Sequence, residues 1–592
     1  MRVADYIMQR LHEEGIGHLF MVTGRGMLYL SDAAAKHEGI ETVSVHHEQA
    51  AGYAAMAYAQ KNEKLGACLV STGCASTNTI TPVLCAWQDD VPLVVISGQN
   101  SLNETVRHSG IAVRTFGQQE ADIIGLVSPI TKYAVMIENP ARIAYEMDKA
   151  LFLAQFGRKG PVWIDVPLDV QNMRVEPETL ERFYPETRSL SASDTDVDYV
   201  VKELRTAQRP VILIGSGVRS AGAGDLLKNL LKKHPFPVVY ANSAVDVLDS
   251  RDSVAIGAVG TMAANRAGNF ALQNADLILV LGCRMSSMIT GADKDKFARA
   301  AKIIMVDIDK NEAEKNTCKI ERNITADLKV FLTALSDKTL PSAPDVWLDK
   351  CRRWKEMFPR CEDRYRQPGA TDLYQLADSL SEVLSDDAVV VTDAGLEELI
   401  TPTTIRFKAA QRCLHPVSQG AMGYALPAAA GAFYAGGKQV VAVVGDGSVM
   451  MNIQELQTIS YKQLPLKIII VNNNCYAVIR KRQKDLFRTR TVGTDCSDGV
   501  SCPDFAKVAE CFNLKYRKIA DNRNLTAELR AMLAESGAVI CEIMSPEDQN
   551  YIHSSYARTK EGRFVQRPLE DQSPFLDREL FLSEMIVEPI DQ

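Results

Sequence analysis

No two cysteines of this 592-residue chain stand in a C-x-x-C pair, and its 13 cysteines follow no metal-ligand spacing. Neither a zinc ribbon nor a redox dithiol is expected, and an odd, scattered set reads as free thiols of a reducing compartment. A run of about 18 uncharged apolar residues is also missing, which argues against a membrane-spanning helix. The opening MRVADYIMQRLHEEG lacks the apolar centre of a secretory signal and reads as an amphipathic helix, so the cytoplasm is the expected location. There is no basic surplus: 66 Lys and Arg face 74 Asp and Glu, a net charge of −8. That balance argues against a nucleic-acid partner and for small soluble substrates. No short repeat or low-complexity tract breaks the chain.

What is present is a rhythm of short apolar runs between helical segments. The chain is too long for one core. HLFMV, TVSVH, ACLVS, PLVVISG and PVWIDVP punctuate residues 1–170, PVILIGSG, FPVVYAN, DLILVLG and KIIMVDID residues 196–340, and AVVVTDAG, QVVAVVGDG, LKIIIVNNN and AVICEIM residues 371–544. Near-continuous apolar strands alternating with helices predict parallel sheets covered on both faces, hence an α/β chain of three doubly wound domains. Residues 171–195 and 341–370 read as linkers. Residues 545–592, charged and proline-interrupted, read as a C-terminal arm.

The most specific signal runs from Gly445 to Asn474, GDGSVMMNIQELQTISYKQLPLKIIIVNNN, a strand, a glycine turn, a helix and a second strand. It places Asp446 and Asn473 at the carboxyl ends of neighbouring strands. One carboxylate, one amide oxygen and a backbone carbonyl suit Mg²⁺, which takes its remaining oxygens from water and a diphosphate. Glycines 445 and 447 let the backbone approach an anion. A bare GDG is usually an ordinary turn, and the asparagines about 27 residues on are what distinguish this one. Upstream, HHEQAAGYAAMAYAQ puts Glu48 at the start of a small-residue helix, where an acid is ordinarily a partner for the helix dipole.

The GDG/NNN pair resembles the diphosphate motif of thiamine diphosphate (ThDP) enzymes. With HEQAAGYAAMAYA, STGCASTN, FGQQEADI, GPVWIDVPLDVQ and MGYALPAAAGA, the chain up to about residue 545 resembles the acetohydroxyacid synthase (acetolactate synthase) branch of that family. The resemblance implies a pyrimidine-binding domain, a central domain that holds FAD in some members and not in others, and a diphosphate-binding domain. It implies that Asp446, Asn473 and the carbonyl of Cys475 bind Mg²⁺, with Gly447 and Ser448 near the diphosphate and Gly395 opening a segment close to it. Met422 would bend the cofactor and the Gly420 carbonyl would accept from its 4′-amino group. Glu48 would hydrogen-bond the pyrimidine N1′, serving a cofactor anchored in a second subunit, so a homodimer or homotetramer is expected. Gln119 and Lys132 match positions near the reacting centre. Gly215, Gly217, Gly282, Arg284, Asp307 and Asp309 stand where the family holds FAD, although such glycines recur in any doubly wound domain.

The chain also departs from that family. An R-F-D-D-R segment is replaced by Arg284-Met285-Ser286-Ser287-Met288, and a tryptophan that helps choose the second keto acid falls near Arg482. Arg482 lies in RKRQKDLFRTR, a run that is most often a solvated helix face. Arg25 stands where glycine is usual, and Gly395-Leu396-Glu397-Glu398 replaces a Gln-His pair near the diphosphate. The expectation is a carboligase that decarboxylates a 2-keto acid such as pyruvate and passes the two-carbon unit to a carbonyl acceptor, with Arg25 and Arg482 suited to a phosphorylated or nucleotide-linked keto sugar. Two alternatives stand beside it: a 2-keto acid decarboxylase without ligation, and a non-catalytic ThDP-binding homologue. The arm from Ser545 is read either as a lid over the site or as an exposed tail.

Overall fold

The computed structural model describes residues 1–186, 190–558, 562 and 564–590. The first unit is built on β1 (His18–Met21), β2 (Glu41–Ser44), β3 (Gly66–Val70), β4 (Leu93–Gln99), β5 (Tyr133–Met136) and β6 (Pro161–Pro167). These form one parallel sheet in the order β2-β1-β3-β4-β6-β5. The central unit holds β7 (Pro210–Ile214), β8 (Val238–Tyr240), β9 (Ala255–Ala258), β10 (Leu277–Leu281), β11 (Lys302–Asp307) and β12 (Arg322–Thr325), ordered β12-β11-β10-β7-β8-β9. The third holds β13 (Val389–Thr392), β14 (Arg412–Leu414), β15 (Val440–Gly445), β16 (Lys467–Asn472), β17 (Lys515–Ile519) and β18 (Val539–Met544), ordered β14-β13-β15-β16-β18-β17. The chain is thus an α/β protein of three six-stranded parallel sheets. The inner strands are mostly apolar because helices cover both faces; every residue of β4 and β6 is buried. The first and third sheets share one topology. The central one has its own, in which the strand order reverses between β7 and β10.

Helix Glu48–Asn62, rich in alanine, packs on helix Ala425–Tyr434 of the third unit. Tyr53 meets Tyr424 edge-on at 5.3 Å, and the Tyr424 hydroxyl donates to Gln60 Oε1 at 2.6 Å. The small-residue character of both helices therefore serves close approach between two units.

Residues 341–370, expected as a linker, contain a helix, Asp345–Met357. Its Trp347, Leu348, Cys351 and Trp354 form a buried stripe, and Trp354 packs on Phe270 of the central unit at 5.7 Å. The segment after Met544 is likewise more structured than an exposed tail. It adds β19 (Tyr556–Arg558), β20 (Phe564–Gln566) and the helix Arg578–Glu584, and straps across the central unit. Ala263 N donates to Ile552 O (2.6 Å), Ser554 N to Thr261 O (2.8 Å), and His553 exchanges backbone bonds with Ser573. Buried Glu570 accepts from Arg299 and Gln273, and buried Glu584 from Lys350, Arg353 and Trp354. Gln572 donates to Gly260 O (3.0 Å) and accepts from Asn269 Nδ2 (2.9 Å). Charges that read as solvated in the sequence are paired in the interior. Residues 559–561, 563 and 591–592 of the arm lie outside the described residues. Among the described residues no helix is long and apolar enough to cross a membrane.

Candidate active site

Parallel strands end on one side of their sheet, so residues just past the strands of a unit collect at one edge. In the third unit that edge carries Asp393 after β13, residues 415–423 after β14, Asp446 after β15 and Asn473 after β16. Asp446 is buried and clamped by backbone: its Oδ1 accepts from Gly447 N (2.7 Å) and its Oδ2 from Asn473 N (3.0 Å) and Asn474 N (2.7 Å). Asn473 Oδ1 accepts from Cys475 N at 3.1 Å, and the Cys475 carbonyl from Ala477 N at 3.0 Å. Tyr476 crosses above the glycine turn. A Cβ at Gly447 would lie 1.9 Å from its ring, so the turn admits no side chain there.

Asp393, which sequence reasoning missed, is the hub of this edge. It is wholly buried; its Oδ2 accepts from Ser448 Oγ (2.7 Å) and Gly423 N (3.2 Å), and Ser448 Oγ accepts in turn from Gly423 N (3.0 Å). That network draws the turn holding Gly420 and half-buried Met422 beside Ser448. The signal available in the sequence was the TDAG that ends an apolar strand. Gly395 begins the next helix, whose buried Glu397 stands against Gly445. Burial, with Asp446 and Asp393 nearby, pushes the Glu397 carboxyl up to about 8; burial alone dominates at Asp393, raised to about 7, and at Asp446, raised to about 6. Glu398 faces His415 at 3.5 Å and is raised by burial.

The raised Glu397 has a thermodynamic consequence. Its folded value lies above the ordinary 4.5, so its contribution to stability is whole below about pH 4.5 and is lost as pH rises through about 8. Glu397→Gln removes that loss. The cofactor-free variant should be more stable than the parent at pH 8.5, by on the order of 4 kcal/mol, and match it at pH 4. Thermal unfolding at the two pH values checks this; equal melting at both would show that Glu397 is ionised without cost.

The first unit's carboxyl edge gathers Arg25 after β1, Glu48 after β2, Asn78 after β3 and the Gln118–Gln119 segment after β4. Arg25 Nη1 donates to Gln118 Oε1 at 3.1 Å, and Glu48 Oε2 accepts from Asn78 Nδ2 at 3.0 Å. Gln119 is exposed, with φ +59°. Gln49, next to Glu48, accepts from Asn452 of the third unit at 3.0 Å, which places the start of the Glu48 helix against the loop network of Gly423. Lys132 does not share this edge. It precedes β5, at the amino end of the sheet, with Nζ on Phe156 O at 2.6 Å, and burial lowers it to about 8.

In the central unit, Gly215 and Gly217 after β7 cross Gly282 after β10 backbone to backbone. A Cβ at Gly217 would lie 2.6 Å from Gly282 Cα. A cavity of ≈ 580 Å³ opens there, lined by Gly217, Gly282, Arg284 and Asp307. Asp309 stands at its rim, bound to Arg158 of the first unit at 2.7 Å. Arg284 reaches the third unit, donating to Ser418 Oγ at 2.8 Å.

Met288 and Arg482 come together through the loop at residues 260–262. The Met288 carbonyl accepts from Thr261 N (2.8 Å) and Oγ1 (3.1 Å), while Met262 Sδ lies 4.0 Å from Arg482 Nη2 and its backbone pairs with His553. Within the basic run, Arg480 pairs with Asp495 and Glu547, Lys481 with Asp485 and Lys484 with Asp548. Arg482 is exposed and meets no carboxylate among the described residues. Arg482 follows Cys475 and Tyr476 by less than two helical turns, which keeps it close to the Asp446 edge.

Comparison with known proteins agrees with this division into units. The thiamine pyrophosphate enzyme N-terminal domain matches residues 1–126, the central domain 197–335 and the C-terminal domain 393–543. The chain belongs to the family of thiamine diphosphate-dependent enzymes. Within it the relatives are acetolactate synthase large subunits: that of Parasynechococcus marenigrum is 31% identical over 564 residues, covering 92% of this chain and 88% of its own. That of Corynebacterium glutamicum is 33% identical over 522 residues (86% and 81%), and the isozyme 2 large subunit of Escherichia coli 30% over 553 (93% and 96%). The chain is an enzyme of this acetolactate synthase-like branch.

Proposed function

We propose that the protein is a ThDP- and Mg²⁺-dependent carboligase that decarboxylates pyruvate and joins its two-carbon unit to a carbonyl acceptor carrying phosphate, such as a nucleotide-linked keto sugar. The backbone-clamped Asp446 beside Asn473 carries the first half of this reading. Among the described residues no three His, Cys, Asp or Glu side chains gather for a metal, and Asp446 with the oxygens of Asn473 and Cys475 gives only half an octahedral shell. A diphosphate and water complete it, which is the donor set Mg²⁺ prefers. When bound, ThDP supplies the electron sink that lets a 2-keto acid lose CO₂ and its remaining carbon attack a carbonyl. Glu48 would hold the proton at the pyrimidine N1′, the Gly420 carbonyl would accept from the 4′-amino group, Met422 would pack against the cofactor, and Gly447 and Ser448 would hold its diphosphate. In this reading Glu48 comes from a second copy of the chain, making a homodimer or a homotetramer. The odd, scattered set of 13 cysteines supports a reducing, cytoplasmic setting. FAD in the central cavity would be a structural ligand rather than a redox partner.

Met288 standing where the family has a substrate-side arginine, with an unneutralised Arg482 on the same 260–262 loop, supports the acceptor half. An arginine there would bind phosphate by paired charge-assisted hydrogen bonds. The test incubates the protein with ThDP, Mg²⁺ and pyruvate and follows CO₂, acetolactate and acetaldehyde. Little acetolactate is expected, with CO₂ release rising at least several-fold when a nucleotide-linked keto sugar is added. Abundant acetolactate from pyruvate alone would overturn the acceptor assignment, and acetaldehyde that ignores every acceptor would make the protein a simple decarboxylase.

A further inference from the structure

The backbone of Gln119 takes φ +59°, a left-handed conformation that a residue with a side chain keeps only where its surroundings enforce it. Its neighbours are tied down one by one. Gln118 Oε1 accepts from Arg25 and the Gln118 carbonyl from Asn100 Nδ2 (3.0 Å), Glu120 accepts from the backbone N–H groups of Val106, Phe116 and Gly117, and the Ala121 carbonyl accepts from Gln99 Nε2 (2.9 Å). Gly73, after β3, closes the other side: a Cβ there would lie 2.0 Å from the Gln119 carbonyl oxygen. The Gln119 side chain alone makes no hydrogen bond among the described residues, and it stands exposed on the carboxyl edge that also carries Glu48. The deepest of these ties is Gln99, which ends β4 and is buried. Every donor and acceptor of its amide is used: Nε2 donates to Ala121 O and to Asp165 Oδ2 (3.1 Å), and Oε1 accepts from Thr72 Oγ1 (2.7 Å) and Asn100 N (3.0 Å). Asp165, on β6 and 1% exposed, accepts on its other oxygen from Ser97 Oγ (2.6 Å), which accepts in turn from Trp163 Nε1 (2.8 Å). A carboxyl sunk in the middle of a parallel sheet contributes little to stability by itself. Here it orients the Gln99 amide, because the same amide turned over would set its oxygen against the oxygens of Ala121 and Asp165 and its nitrogen against the Asn100 N–H.

We propose that Gln99, oriented by Asp165, is a positioning residue of the reaction: it holds residues 118–121 in the one conformation that presents the Gln119 amide to the site. The strain at Gln119 is maintained from inside the sheet, and the side chain it aims outward is left free for the substrate. The inference rests on the thiamine diphosphate reading above, in which Gln119 stands near the reacting centre, and it concerns this segment alone.

Two measurements on the full chain test it. Hydrogen exchange of the cofactor-free protein reads the segment directly: in Gln99→Leu the amides of residues 116–121 should exchange at least about 10-fold faster than in the parent, and Thr72→Val should show the same change to a smaller degree. Asp165→Asn, which still gives an oxygen to Gln99 and an N–H to Ser97 Oγ, should exchange as the parent does. CO₂ release from pyruvate with ThDP and Mg²⁺ reads the consequence. Gln99→Leu should be about 10- to 100-fold slower with ThDP affinity within a few-fold of the parent, and in a Gln119→Ala background the same change should cost less than about 2-fold, since a residue acting through Gln119 then has nothing left to position. Parental exchange in both Gln99→Leu and Thr72→Val overturns the inference. So does a loss in Gln99→Leu that is as large with Gln119→Ala as without it, which would make Gln99 a general support of the sheet. Should Gln99→Leu fail to fold, Thr72→Val carries both measurements. A parent that binds ThDP yet releases no CO₂ sinks the proposed function, and the exchange measurement still decides whether Gln99 holds the segment.

Discussion

Glu48→Gln protein should fold, bind ThDP within a few-fold of the parent, and release CO₂ from pyruvate about 10²- to 10⁴-fold more slowly, the range a positioned acid or base contributes. Glu48 opens its helix at the sheet's carboxyl edge, and its only side-chain bond among the described residues is from Asn78 Nδ2. One carboxyl oxygen is thus oriented and the other left for the cofactor. Glutamine preserves shape and the Asn78 contact but cannot hold or return a proton. Steady-state CO₂ release, with ThDP affinity measured alongside, checks the point. Turnover that survives intact would remove Glu48 from the activation step.

The second large effect is expected at Asp446. Asp446→Ala should lower ThDP affinity in the presence of Mg²⁺ by more than about 100-fold and leave no measurable turnover. Two things vanish together: an ionic oxygen for the metal, and the acceptor of three backbone N–H groups from Gly447, Asn473 and Asn474. Leaving buried donors unpaired costs roughly 1–3 kcal/mol each, partly offset because a buried carboxyl already raised to about 6 is also removed. The fold should therefore persist while the loop geometry relaxes. Titration with ThDP and Mg²⁺ decides it; parental affinity in the alanine variant would place the diphosphate elsewhere.

Much of this arrangement was legible because inner strands of parallel sheets are buried on both faces. PLVVISG, DLILVLG and LKIIIVNNN cannot be mistaken for surface. The strands of the three parallel sheets that escaped notice, β5, β9, β12, β14 and β17, are all edge strands, short and in several cases half-exposed; YAVM and RNIT lack an apolar run long enough to register. Helix Asp345–Met357 escaped for a related reason, since only four of its thirteen residues are buried, set among charges. At the site, Asp446 and Asn473 were readable because two strands and a fixed spacing determine their placement. Asp393 was not, because its role arises from Ser448 and Gly423, 55 and 30 positions away. Sequence proximity to a motif could not tell Lys132, at the amino end of its strand, from Gln119, at the carboxyl end of another. That difference depends on strand direction alone.

The strap formed after Met544 bears on how the molecule is made. Glu570, Gln572 and Glu584 fill polar gaps in a unit whose own strands were finished before residue 330, so during synthesis that unit waits, its interior acceptors and cations unmatched, while more than 200 further residues emerge. The first sheet can close early and the last sheet on schedule, but the middle is sealed only by the final stretch of chain. A premature stop within about the last 40 codons would therefore be felt not at the end of the protein but at its centre.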